Sequence, residues 1–263
     1  MEILVCARRV PDTSENEIEL NSASNDIERD DLVYSINEPD NYAVEEALQI
    51  TSKVGGKVTV VTVGGEDDEE ILRREMAMGA NQGVLITDDA FNGSDGKGIA
   101  TILRAFVQKG KYDLILTGVQ AEDGGAQVGG MLAAMLDYPF AALVNSIEVL
   151  DGKKLKISRE IAGGNREMNE IDLPCVLSIQ TGINEPRYVG MRGIRAVASV
   201  PIPTRGASDL GVDPNTVGQA AAKVKRVDYF VPMLGKGAEM LRGSREENVD
   251  KVLELVAAKG GLK

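Results

Sequence analysis

Residues 113–136, DLILTGVQAEDGGAQVGGMLAAML, decide how the rest of the chain is read. The stretch opens on Leu114-Ile115-Leu116, a short apolar run of the kind found in a strand buried on both faces. A loop of small and polar residues follows, from Thr117 to Gly125. Val128, Met131, Leu132 and Met135 then recur at helical spacing on one face. A strand that passes into a helix through small residues leaves the first helical N–H groups unpaired and lets a ligand approach the backbone. Gly124, Gly125, Gly129 and Gly130 permit that approach, and Gln127 adds a side-chain amide. On spacing alone, the stretch reads as an ordinary strand-to-helix turn before it reads as a phosphate cradle.

Working outward, the same alternation repeats. EILVCA (2–7) reads as a first buried strand, VTVVTVGG (58–65) as a second and GVLITDD (83–89) as a third. The helices between them are expected from about Asp40, from 67 to 78 and from 97 to 109. Asp40 or Asn41 offers an N-cap to the first. Such a pattern predicts an α/β fold with a doubly wound, mostly parallel sheet. Ligands of such sheets bind beyond the carboxyl ends of the strands, where the strand order reverses. The loops after Val5, Val63 and Thr117 are therefore expected to converge on one site. None carries G-x-G-x-x-G or G-x-x-x-x-G-K-[ST], so neither a dinucleotide fingerprint nor a Walker loop is present.

The polar segment to about Asp31 reads as an exposed hairpin. After Pro139, two strands are expected around Asp151-Gly152, then a strand over 173–180 and a last helix from about Arg245 to Ala257. The pattern divides the chain into an α/β domain over 1–204 and an extended C-terminal arm over 205–263, too poor in apolar residues for a core of its own.

Composition narrows the chemistry. The 263 residues are 43% hydrophobic and 27% charged, as in an ordinary globular protein, and carry a net charge of -12. That charge argues against nucleic acid as a partner. No apolar run reaches the roughly 20 residues of a membrane span, so direct insertion is not expected. Cys6 and Cys175 lie in separate apolar runs and read as buried thiols in a reducing compartment, the cytoplasm. Histidine is absent, which removes Ser-His-Asp and Cys-His pairs and the usual near-neutral acid or base. Redox or group-transfer chemistry here would come from a bound cofactor.

Seven segments then become specific: VCARRV (5–10), NEPDNYAVEEAL (37–48), REMAMGANQGV (74–84), LTGVQAEDGGAQVG (116–129), REIAGGNREMNEIDLPCV (159–176), NEPRYVGMRGI (184–194) and DLGVD (209–213). In this order they resemble the β subunit of electron transfer flavoprotein over nearly the whole chain. The resemblance implies an adenine-nucleotide-binding fold similar to that of universal stress proteins. It also implies a larger α subunit holding a flavin adenine dinucleotide (FAD), against which the C-terminal arm packs. Electrons would pass from an acyl-CoA dehydrogenase or related dehydrogenase to a downstream acceptor. This chain would bind a second adenine nucleotide, either AMP or, in the electron-bifurcating kind that uses NADH and ferredoxin, a second FAD.

Carried over by position, the resemblance places the adenine site at Cys6, at Asn37 to Asp40, and at Val63 and Gly64. The phosphates would meet Ala121, Asp123, Gly124, Gly125, Ala126, Gln127, Val128, Gly129 and Gly130, with Asp123 near a ribose hydroxyl. An isoalloxazine ring would need Ala7, Arg8, Arg9 and Asp12 along its edge. Arg159 and Glu160 match the position beside the α-subunit flavin. Residues 184–196 match a partner-recognition loop, with Asn184, Glu185, Pro186, Arg187 and Tyr188 in it and Met191 at the docking position. Val10-Pro11-Asp12-Thr13 and the glycine-rich loop favour the second flavin, whereas REIAGG looks like the ordinary carriers. Ala162 stands where an acid is usual, Val119 replaces a basic residue, and the glycine loop is one residue short. The alternative from another class is a non-redox ATP- or AMP-binding regulatory domain of the universal stress protein kind.

Overall fold

The run EILVC forms strand β1 (Glu2–Cys6), with Ile3, Leu4 and Val5 sealed from solvent on both faces. The computed structural model describes residues 1–121, 124–233, 235 and 237–261. After β1 come β2 (Arg9–Pro11), β3 (Tyr34–Ile36), helix α1 (Glu38–Val54), β4 (Lys57–Val63), α2 (Glu69–Met78), β5 (Gln82–Ile86), α3 (Gly96–Val107), β6 (Leu114–Gly118) and α4 (Val128–Leu136). The chain continues through β7 (Phe140–Val149), β8 (Lys154–Ile161), β9 (Asn165–Asp172) and β10 (Cys175–Ile179). It then forms α5 (Met191–Val197), β11 (Thr204–Arg205), α6 (Ala207–Leu210), α7 (Gly218–Ala221) and α8 (Arg245–Ala258).

Nine strands make one sheet in the order β11-β5-β4-β1-β6-β10-β7-β8-β9. From β11 across to β7 every pair is parallel, and β8 and β9 extend the sheet antiparallel. This is the doubly wound, mostly parallel α/β sheet that the alternating pattern predicts. Side chains alternate through it with period two. Ile3, Val5, Leu114 and Leu116 join Ala43, Val44 and Leu72 of α1 and α2 on one face. On the other, Leu4 and Ile115 join Ile102, Leu103 and Leu132 of α3 and α4. The chain moves outward from β1 to β4 and β5, then returns to place β6 on the other side of β1. The order therefore reverses between β1 and β6, where a ligand crevice is expected.

Two elements differ from the sequence pattern. The flanks of the early polar segment, not its interior, form the main ribbon: β2 pairs with β3, and inside lies only the Leu20–Ile27 bridge. Strand β9 has no apolar alternation to announce it, since Ile171 is its one buried residue. It is held instead by a continuous antiparallel register with β8, from Lys154↔Asp172 to Ile161↔Asn165.

Residues 1–19 and 29–227 form one compact unit, and residues 20–28 with the chain from Asp228 onward form a second. In the first, β11 pairs with β5, and Ala207, Leu210, Val212 and Val217 enter the core on the α3 side. In the second, Ser244 caps α8 in a reciprocal box with Glu247. That helix buries none of its residues and leaves Val249, Val252, Leu253 and Val256 exposed. No described helix is long and apolar enough to cross a membrane.

Candidate functional site

The two strand ends at the reversal point are stitched together by the start of α1. Pro39 suits the first turn of that helix, where its missing N–H is not needed. One turn places Asn37 and Asp40, both buried, over the ends of β1 and β6. Asp40 Oδ2 accepts from the Arg8 N–H at 2.9 Å, and Oδ1 accepts from the Gly118 N–H at 2.8 Å. The Asn37 N–H donates to the Arg8 carbonyl at 2.8 Å, and Asn37 Nδ2 donates to the Gln120 carbonyl at 3.0 Å. Burial pushes the Asp40 carboxyl up to about 7, while these hydrogen bonds and the Arg8 charge pull it partway back. Cys6, opposite Thr117 in the register, has its thiol raised by burial and then by the Asp40 charge. A Cβ on Gly118 would collide with Asp40 Oδ1, so the junction requires glycine there.

At the end of β4, Val63 is half-buried and the Gly64 N–H donates to the Ile86 carbonyl at 3.0 Å. Asp68 accepts from the Gly65 N–H at 2.8 Å, and a Cβ on Gly64 would have to displace that carboxylate. Arg9 is committed nearby: its guanidinium lies 3.8 Å over the Tyr34 ring, and its Nε stands 4.0 Å from Asp68. Ala7 is buried, whereas Arg8 is exposed at the mouth.

The glycine loop after β6 completes the arrangement. Gly124, Gly125, Ala126 and Gln127 are exposed, Ala121 is half-buried, and Asp123 lies outside the described residues. Ala126 takes a left-handed φ of 54° on the approach to α4. The Gln127 side chain makes no capping bond, which leaves the first N–H groups of α4 without an acceptor among the described residues. It lies instead against Gly125 and Gly96. Gly129 brings α4 down onto the sheet: a Cβ there would collide with Ser178 Oγ and stand 2.9 Å from Thr117 Oγ1. Those two hydroxyls are buried beneath it, 2.8 Å apart. Val128 is half-buried and Gly130 faces Phe140. A helix opening without a cap, pressed close over the reversal point, suits an anionic group by both its N–H donors and its dipole.

Arg159 and Glu160 lie elsewhere, on β8. Arg159 Nη1 is 3.6 Å from Glu167 across the ladder, and its buried Nε has no partner among the described residues. Glu160 accepts from Gln180 at 3.4 Å and lines a polar pocket of about 210 Å³ with Asn145, Asn165 and Arg166. The Asn145 Oδ1 atom is also buried without a partner among the described residues.

After β10, Glu185 and Tyr188 of the loop and Met191 at the start of α5 are exposed, and Pro186 is half-buried. Asn184 and Arg187 bond back onto α1, with Arg187 still exposed. The pattern reading passes over Gly118, which only its place at the end of an apolar strand could have flagged. It also passes over Glu75, fully buried in α2 with neither carboxyl oxygen partnered among the described residues. Its signal is position: with Ile71, Leu72 and Met76 it falls on the apolar face of α2.

These features define an α/β domain that gathers three strand-end loops around a helix start with no side-chain cap among the described residues. The profile of the Electron transfer flavoprotein domain matches residues 25–210. The chain is 35% identical over 262 residues to the electron transfer flavoprotein subunit beta of Methylophilus methylotrophus, covering 97% of this chain and 98% of that one. It is 36% identical over 252 residues to the caffeyl-CoA reductase-Etf complex subunit CarD of Acetobacterium woodii, covering 95% of each. Identity to the acryloyl-CoA reductase electron transfer subunit gamma of Anaerotignum propionicum is 31% over 268 residues, 98% of this chain and 99% of that one. The chain belongs to the electron transfer flavoprotein family, among its β subunits.

Proposed function

We propose that this chain is the β subunit of a heterodimeric electron carrier of the cytoplasm. Its α subunit holds the FAD, and this chain holds an adenine nucleotide where β1, β4 and β6 end. The observation that carries the proposal is the junction at the strand reversal, where Asn37 and Asp40 fix two strand-end loops beside the uncapped start of α4. The nucleotide phosphates fit the N–H groups of Gly124 to Gly130, with Gln127 beside them. Cys6, Ala7, Asn37, Val63 and Gly64 supply the adenosine side. A bound flavin would supply reversible electron storage. The protein's part is to orient it, exclude water and offer charge, for which Arg8 stands exposed beside the junction.

In the same proposal, Arg159 and Glu160 border the α-subunit flavin, where Arg159 Nε and Asn145 Oδ1 are buried polar atoms without a partner among the described residues. The exposed Val249, Val252, Leu253 and Val256 of α8 give the arm an apolar surface for the α subunit. Tyr188 and Met191 meet a dehydrogenase of the acyl-CoA class, a partner consistent with the CoA reductases named in two of the relatives. A non-redox regulatory domain would share the fold and the glycine loop, but it leaves this exposed apolar loop without a task.

Nucleotide released from the purified αβ complex, quantified per heterodimer, tests the reading. Two FAD and no AMP make this chain a redox subunit, with NADH oxidation and ferredoxin reduction the next assays. One FAD and one AMP make it the scaffold of a simple carrier. A complex with no nucleotide beyond the α-subunit FAD removes the strand-end site from the proposal.

A further inference from the structure

The loop proposed to dock a dehydrogenase is fastened at three places. Arg187 turns back onto α1 and grips Glu45 with a fork, Nε to Oε2 at 2.7 Å and Nη2 to Oε1 at 3.0 Å. Its backbone N–H reaches the same carboxylate at 3.2 Å, and Nη1 donates to the Met78 carbonyl at 3.4 Å. Asn184 Nδ2 donates to the Tyr42 carbonyl at 3.1 Å and to Glu46 at 3.0 Å. At the end of α5 and just past it, Arg73 donates to the carbonyls of Val197, Ala198 and Val200. Glu45 and Glu46 are buried at 4% and 7% exposure. Burial raises the Glu45 carboxyl, but the Arg187 hydrogen bonds outweigh it and hold the group below the usual range. Between these anchors stand Tyr188, Met191 and Ile194, exposed by 92%, 63% and 42%.

We infer that Arg187, with Glu45 as its counterpart, is a positioning residue: it sets Tyr188 and Met191 in their docking arrangement before the dehydrogenase arrives. The inference rests on the docking role proposed above. A charged fork fixes direction as well as distance, which a lysine cannot do. Ordering a loop at the moment of binding weakens association, so a loop ordered in advance binds tighter with no new contact. The helix that provides the anchors also begins with Asn37 and Asp40. Asp40 and Glu45 are five residues apart on α1, about 7.5 Å along its axis. One rigid element thus carries both the nucleotide junction and the loop clamp.

The test uses the αβ complex, reduced by the acyl-CoA dehydrogenase purified from the same organism, with amide hydrogen exchange measured alongside. Arg187→Ala is expected to speed exchange in residues 184–196 and not in the central strands. It should raise KM for the dehydrogenase by about tenfold and change kcat by less than about twofold. Arg187→Lys should recover only part of the loss. Met191→Ala should raise KM without altering exchange. The double variant should then be no worse than the more affected single one, because a mispositioned loop has lost the Met191 contact already. Unchanged exchange or KM in Arg187→Ala, or effects that multiply in the double variant, would overturn the inference. An unchanged KM in Met191→Ala defeats the docking reading instead, and the exchange data alone then decide whether Arg187 positions the loop. Should Arg187→Ala not fold, Glu45→Gln carries the same expectations.

Discussion

The Asp40 carboxylate and the Gly118 amide stand 2.8 Å apart across the line where the strand order reverses. The same carboxylate takes the Arg8 amide with its other oxygen, so a single side chain closes the top of β1 onto the top of β6. Asparagine in its place keeps one acceptor and points an NH2 group at the second amide. We expect Asp40→Asn to lower stability by about 1–3 kcal/mol, the penalty for one buried N–H without an acceptor. The urea midpoint should fall with an unchanged slope and the complex should retain less nucleotide; a midpoint equal to wild type would contradict this.

Two acids near this junction set the pH response. Asp40 is raised to about 7, and Glu75 is raised well above its ordinary value by burial and then by the Asp40 charge. Both groups hold their protons more tightly when the chain is folded. Their contribution to stability is therefore complete below about pH 4, the unfolded range, and is lost as pH rises, through about 7 for Asp40 and through the raised value of Glu75. Glu75→Met keeps the volume and removes two oxygens without partners among the described residues. It should stabilise the chain by about 1–3 kcal/mol at neutral pH and flatten the decline above it. Urea melts from about pH 5 to about pH 8 in steps decide the matter, and an unaltered pH slope would tell against it.

The paired glycines of α4 should respond in opposite senses. At Gly129 a methyl group would collide with Ser178 Oγ, so Gly129→Ala must lift the helix from the sheet, at about 1–3 kcal/mol. At Gly130 the nearest atom, Phe140 Cε1, would be 3.4 Å away, an ordinary contact. Gly130→Ala should then be neutral or better by up to about 1 kcal/mol from helix propensity. Thermal melts and nucleotide retention of the two variants check the contrast, and equal losses would refute it.

The two cysteines should be silent. Burial pushes Cys175 up to about 12, and half-buried Cys6 is raised by the surrounding protein and then by the Asp40 charge. A thiol reagent at neutral pH should therefore find neither in the native chain and both after denaturation. Rapid labelling of either native thiol would show that the end of β1 or of β10 opens readily.

Much of this arrangement can be read in the residues. Leu114-Ile115-Leu116 and EILVC announce buried parallel strands, and from alternation alone the reversal point follows, with the loops that must meet there. The side-chain bonding at that point cannot be read so directly. Nothing local distinguishes Asp40 as a bridge between two strand ends from Asp40 as a helix cap, because its partners Arg8 and Gly118 are 32 and 78 residues away. Arg187 is similar. Its position in an exposed loop suggests a side chain offered to solvent, and only the packing of that loop on α1 brings Glu45 within reach. Strand β9 escapes pattern reading for the opposite reason, since seven of its eight residues stay exposed and its pairing is set by backbone register.

The two margins of the sheet bear on how such a chain can be joined to another. At one margin β11 is two residues long. At the other, β9 shows Arg166, Glu167, Glu170 and Asp172 to solvent, a row of charge that discourages a foreign strand from adding on. Neither border invites continuation of the ladder into a neighbouring polypeptide. Association is left to helix faces and loops, whose side chains can be exchanged one at a time, so partner choice can change without redrawing the hydrogen-bonded frame.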